Sequence, residues 1–171
     1  MGNISTVGVI GSGIMGSGLA EVAARAGYDV VVRSRTQAGA DAVLVKPPAY
    51  YRGRMSPEAI RTFFVAVADA SPIPVVLYHV PKFVPVDVVP ELAGELMRHG
   101  NIVGIKDSTG NVMQLGEFLG RVEPDFSVLV GTASALFGAL TLGCVGAVLA
   151  LANVAPDQCV EIFNLVRAGD T

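Results

Sequence analysis

Charge is scarce in this chain. Only 16% of its 171 residues are Asp, Glu, Lys or Arg, against about 25% in an average soluble domain. The net charge is -3 and the sequence holds no basic stripe, which excludes the electrostatic footprint of a nucleic-acid binder. Cysteine is scarce as well. Cys144 and Cys159 are the only two, and they lack metal-ligand spacing. They read as buried thiols in a reducing, cytoplasmic compartment, and no metal site is expected. The opening Met1-Gly2-Asn3-Ile4-Ser5-Thr6 has no positive region ahead of an apolar stretch, so no signal peptide is read. It fits the short Met-Gly-x-x-x-Ser/Thr myristoylation pattern, which an almost immediate strand outweighs. No low-complexity linker separates two halves.

Charge is missing altogether between Asp125 and Asp157. That is long enough to raise a membrane helix, which needs about 20 apolar residues. The punctuation argues against one. Gly131, Gly143 and Gly146 divide the stretch into a strand (SVLVG), a short helix (TASALFGALTLG) and another strand (VGAVLALAN).

What remains is apolar. Hydrophobic residues make up 51% of the chain, with 20 glycines. Strand-length apolar runs recur at Val7–Ile10, Val30–Val32, Ala42–Val45, Val75–Leu77, Ile102–Ile105, Val128–Val130 and Ala147–Leu151. Helical spacing lies between most of them. Ser56-Pro57-Glu58 supplies an N-cap serine and a first-turn proline, followed by Ile60, Phe63, Phe64 and Val67 on one face. Val86–Arg98 and Val112–Val122 are further helix candidates. Strands alternating with helices predict an α/β fold with a parallel sheet buried on both sides.

One place breaks the alternation. Ala26-Gly27-Tyr28-Asp29-Val30-Val31-Val32 is nearly repeated by Ala38-Gly39-Ala40-Asp41-Ala42-Val43-Leu44-Val45. Only the seven residues Ser34 to Ala40 separate Arg33 from Asp41. A parallel crossover needs about a dozen residues or more. The two runs therefore cannot be parallel neighbours joined in the usual way.

Two motif sets flank this junction. The first is a strand, then Gly11-x-Gly13-x-x-Gly16, then an amphipathic helix and a second strand. The glycines permit a tight turn, close approach of a pyrophosphate and close helix–strand packing, with phosphate at the helix N-terminus. This segment resembles the opening of 3-hydroxyacyl-CoA dehydrogenases, to about Thr36. NAD-using relatives end the second strand on an acidic residue, where this chain has Arg33-Ser34-Arg35. The resemblance therefore implies NADP over NAD at the glycine loop, with Arg33 and Arg35 toward a 2′-phosphate; two solvated arginines at a strand end are the plain alternative. The rest of a dinucleotide domain is absent, and neither His79 nor His99 matches a catalytic histidine.

The second set is ADAVLVKPPAYYRGRMS, PIPVVLYHVP, NIVGIKDSTGNV, SVLVGTAS and GAVLALANV, in that order. These resemble the pyruvate-type class I aldolases and lyases, the family of dihydrodipicolinate synthase, N-acetylneuraminate lyase and 4-hydroxy-2-oxoglutarate aldolase. The likeness runs from about Ala40 to the last residue. It implies a TIM barrel, of which this text supplies strands four to eight. The missing strands one to three would carry the motif that binds the pyruvate carboxylate, and the chain stops within the eighth helix.

Lys106 ends the apolar strand IVGIK, and barrels place catalysis at the C-terminal mouths of strands. A free lysine titrates at about 10.4. Burial among Ile102, Val103 and Ile105 would release the amine to attack the ketone of a small 2-oxo acid such as pyruvate. Pairing with Asp107 is the alternative, and would hold the ammonium instead. The resemblance makes Lys106 the Schiff-base residue, Tyr78 a proton relay, and Tyr50 (or Tyr51) a second relay, with no cofactor required. Lys82-Phe83-Val84-Pro85 follows YHVP where dihydrodipicolinate synthases place an arginine, which argues against that activity.

The whole reads as a composite. Residues 1–37 are a Rossmann-like βαβ fragment, and residues 38–171 are part of a barrel packed with it as one domain. A partial or rebuilt barrel leaves exposed strand edges, so a homo-oligomer is expected. Function is either a remnant or chimeric aldolase, weak or inactive, or a non-catalytic chimeric scaffold binding a phosphate or NAD(P) at Gly11–Gly16.

Overall fold

The computed structural model describes residues 6–9, 29–32, 41–48 and 55–170. Gly11, Gly13, Gly16, Arg33, Arg35, Tyr50 and Tyr51 lie outside the described residues. The architecture is α/β with parallel strands alternating with helices. Strands β1 (Thr6–Val9) and β2 (Asp29–Val32) pair in parallel, Thr6 opposite Asp29. A second parallel sheet holds β3 (Val43–Val45), β4 (Val75–His79), β5 (Ile102–Asp107), β6 (Ser127–Val130) and β7 (Gly146–Ala147), in that spatial order. β2 pairs with β1 and β3 with β4. The two copies of the repeated phrase are therefore not parallel neighbours.

Between the strands of the second sheet run α1 (Pro57–Ala70), α2 (Pro90–Leu96), α3 (Val112–Leu119) and α4 (Leu136–Leu142), and α5 (Pro156–Ala168) follows β7. α1 starts where its cap is written. Ser56 Oγ accepts a hydrogen bond from the Ala59 N–H at 3.2 Å, and Pro57 opens the first turn. Its inward face buries Ile60, Phe64 and Ala68.

α2 is shorter than the expected Val86–Arg98. Burial in its first part follows a period of two: Val84, Val86 and Val88 are buried, and Pro85, Asp87 and Val89 are exposed. That is extended chain. The helix begins only at Pro90, because the residue before a proline is pushed out of the α region; Val89 sits at φ -69°, ψ 157°. α3 ends at Leu119, short of Val122, with Gly120 as its cap. The expected strand Ala147–Leu151 shrinks to the two residues of β7, followed by a 3-10 turn at Ala150–Asn153. Gly143 ends α4 in a left-handed conformation, φ 115°, that favours glycine.

The helix-side face of the sheet is the core. Val75 and Leu77 of β4, Ile105 of β5 and Val128 and Val130 of β6 are fully buried, as are Phe64, Leu115 and Phe118 from the helices. Among the described residues no helix is long and apolar enough to cross a membrane.

Candidate functional site

β4 and β5 bring the chemistry together through an irregularity. Val75 lies opposite Ile102, but Val76 lies opposite Gly104, so one residue of β5 is skipped. From there Tyr78 faces Lys106 and His79 faces Asp107. Without that skipped residue, Tyr78 would lie opposite Ile105, and a one-residue slip sends side chains to opposite faces. The bulge sets the site.

Alternation then sorts four residues onto two faces. Tyr78 and Lys106 share the face away from the helices, with Leu129 of β6 in register beside the lysine. His79 and Asp107 share the helix-side face. The His79 ring meets Phe118 of α3 edge-on at 6.1 Å between centroids.

Lys106 is only 7% exposed, and its Nζ stands 4.1 Å from the centroid of the Tyr78 ring, a cation–π distance. Ile102 and Ile105, two of its expected apolar neighbours in sequence, are buried. Among the described residues no carboxylate lies within salt-bridge distance of Nζ. The pairing of Lys106 with Asp107 does not form. Asp107 is engaged on the other face, where Oδ1 accepts from His79 Nδ1 at 2.6 Å. Its Oδ2 accepts from the Thr109 hydroxyl at 2.5 Å and the Thr109 N–H at 3.3 Å.

Ser108 is a site residue that sequence reasoning missed. Its Oγ is buried and has no hydrogen-bond partner among the described residues. A buried hydroxyl left unpaired costs about 1–3 kcal/mol. It lies beside the lysine. A methyl group added to Gly131 would sit 1.9 Å from Ser108 Oγ and 2.8 Å from Lys106 Cε. The hydroxyl and the lysine stem therefore share the space above a glycine. The signal was available: Ser108 follows Lys106 by two residues, hence on the same side of an extended strand end.

His99 is elsewhere, bonded through Nε2 to Asp69 at 3.0 Å. Cys144 is buried, and its thiol is pushed up to about 11 by burial and then by the negative charge of Asp107. Burial also raises Cys159. Both are free thiols, and at neutral pH their reactive thiolate form is suppressed. Among the described residues no cluster of His, Cys, Asp or Glu could hold a metal ion.

The buried lysine amine thus lies on a tyrosine ring at the C-terminal end of a parallel strand. The model of the dihydrodipicolinate synthetase family matches residues 26–171. The chain belongs to that family. The match starts at Ala26, inside the segment whose glycine pattern resembles a dehydrogenase. Among relatives of the dihydrodipicolinate synthetase family, a 4-hydroxy-tetrahydrodipicolinate synthase of Methanosphaerula palustris is 37% identical over 139 residues, 81% of this chain and 47% of that protein. The "Probable 4-hydroxy-2-oxoglutarate aldolase, mitochondrial" of Emericella nidulans is 38% identical over 133 residues, 77% of this chain and 43% of that one. Among solved structures, YagE of E. coli K12, a member of the family crystallised with pyruvate, superposes with a TM-score of 0.75 at 32% identity. That superposition covers 96% of this chain and 52% of YagE. The chain spans about half the length of the curated relatives it matches.

Proposed function

We propose that this chain carries the Schiff-base part of a pyruvate-type class I aldolase or lyase site. The supporting observation is Lys106, buried, without a carboxylate partner among the described residues, and resting on Tyr78. Once deprotonated, its amine adds to the ketone carbon of a 2-oxo acid. Loss of water from the carbinolamine leaves an iminium. The iminium accepts the electron pair of the carbon–carbon bond that breaks, giving an enamine, and a proton returned to the enamine carbon restores the iminium for hydrolysis. Tyr78, beside the amine, moves the protons these steps release and consume. Ser108 Oγ, without a partner among the described residues, offers a hydrogen bond to the hydroxyl of the carbinolamine. No cofactor enters.

With this chain alone the reaction is weak. The motif that holds the pyruvate carboxylate in the resembled family belongs to strand-two text that this sequence does not contain. Reduction with borohydride in the presence of pyruvate tests the reading. The expected result is a reduced adduct on the peptide containing Lys106, formed slowly and only at high pyruvate, and absent from Lys106→Ala. No adduct on Lys106 at any pyruvate concentration sinks it.

A second reading rests on the parallel pairing of β1 with β2, the strand arrangement a glycine phosphate loop requires. In it, residues 1–37 form a βαβ fragment ahead of residues 38–171 and bind NADPH more tightly than NADH through Arg33 and Arg35. Fluorescence titration with both nucleotides decides it. No response to either leaves the segment a scaffold.

A further inference from the structure

The His79–Asp107 pair is fully buried and takes no part in the proposed chemistry. Its place in the chain is informative. His79 follows Tyr78, Asp107 follows Lys106, and the register that pairs the tyrosine with the lysine also pairs the histidine with the aspartate. We infer that this pair is a positioning device, a latch on the helix-side face that fixes where Tyr78 and Lys106 stand on the other. The inference deepens the Schiff-base reading and rests on it for its kinetic consequence.

The latch closes both strand ends at once. His79 Nδ1 donates across the strands to Asp107 Oδ1 at 2.6 Å. The backbone follows the same path, since the Ser108 N–H donates to the His79 carbonyl at 2.9 Å. On the far side, the Gly131 N–H donates to the Asp107 carbonyl at 2.6 Å. Thr109 holds the second carboxylate oxygen and so fixes the turn after Lys106. Around this centre, His79 Nε2 faces the exposed Asp87 at 3.3 Å, Phe118 packs against the imidazole, and Cys144 feels the Asp107 charge. Ordinary ladder hydrogen bonds set strand spacing. A side-chain bond at the last paired residues also resists fraying there, where Lys106 must hold its aim.

Two measurements on the full chain test this in Asp107→Asn and His79→Asn, with Thr109→Val as a control that leaves the cross-strand bond in place. The first needs no substrate: acetylation of Lys106 by acetic anhydride, read by peptide mass spectrometry against the exposed Lys82. Asp107→Asn is expected to raise Lys106 labelling severalfold as Nζ leaves the Tyr78 ring, and Thr109→Val to leave it near wild type. The second is the maximal rate of borohydride trapping per folded molecule at saturating pyruvate. It is expected to fall about tenfold in Asp107→Asn, with half-saturating pyruvate little changed. A purely structural role would lower the melting temperature and leave both readings at wild-type values in the folded fraction; that result overturns the inference. Where Asp107→Asn does not fold, His79→Asn, which keeps a donor at the same place, decides on the same criteria. Absence of trapping in the wild type strikes the Schiff-base reading alone, because the labelling result still judges the latch.

Discussion

Gly131→Ala is expected to abolish reductive trapping of pyruvate while leaving a folded chain. Gly131 directly follows β6 and cannot retreat, because its N–H is tied to the Asp107 carbonyl at 2.6 Å. A methyl group there would meet Ser108 Oγ at 1.9 Å, Lys106 Cε at 2.8 Å and Ser108 Cβ at 2.9 Å. Those atoms are the movable ones, so the lysine stem and the serine hydroxyl are displaced together. Misplacing a reacting group by about 1 Å costs roughly 100-fold in rate. Overpacking of this kind costs about 1–3 kcal/mol in stability, less than the margin of about 5–15 kcal/mol typical of a domain. The check is adduct formation at Lys106 alongside a melting curve. Wild-type trapping in a folded Gly131→Ala chain would show that the amine does not work from this position.

Phe118→Ala is expected to cost the most stability. Phe118 is fully buried under the sheet and supports the His79 ring from α3. Removing a buried phenylalanine side chain costs about 3–5 kcal/mol through lost burial and the cavity left behind. In a chain of this size that lowers the melting temperature by roughly 6–20 °C, at about 2–4 °C per kcal/mol. Circular dichroism on heating measures it. A loss within two or three degrees would mean that α3 repacks freely, and that the place of His79 does not depend on Phe118.

The site was legible where chemistry and pattern coincide. Lys106 and Tyr78 stand at the ends of apolar strand runs and are recognisable beside a motif. The strand ends themselves were not. Apolar runs stop at Leu77 and Ile105, yet β4 continues through Tyr78 and His79 and β5 through Lys106 and Asp107. Tyr78 and Lys106 read as the last residues of their strands, but His79 and Asp107 beyond them were not placed in a strand. Two apolar stretches misled in opposite directions. Val86–Val89 was read into the helix Val86–Arg98, but burial across Val84–Val89 alternates with a period of two. Val148-Leu149-Ala150-Leu151 suits a strand, but after β7 the chain bends into a 3-10 turn. The His79–Asp107 pair was invisible for a different reason. No local signal gives strand register, and a single skipped residue near Val75 determines which side chains meet.

The spatial order β3-β4-β5-β6-β7 is also the order of the chain. Every partnership in that sheet is thus between sequence neighbours, and even the His79–Asp107 contact closes a separation of only 28 residues. Nearest-neighbour pairing of this sort lets a sheet grow by accretion, each strand docking on the one just completed. The pieces that carry Tyr78 and Lys106 can then be assembled before the last strand and helix have left the ribosome. Deletions from the C-terminal end should strip the molecule in layers and spare its middle.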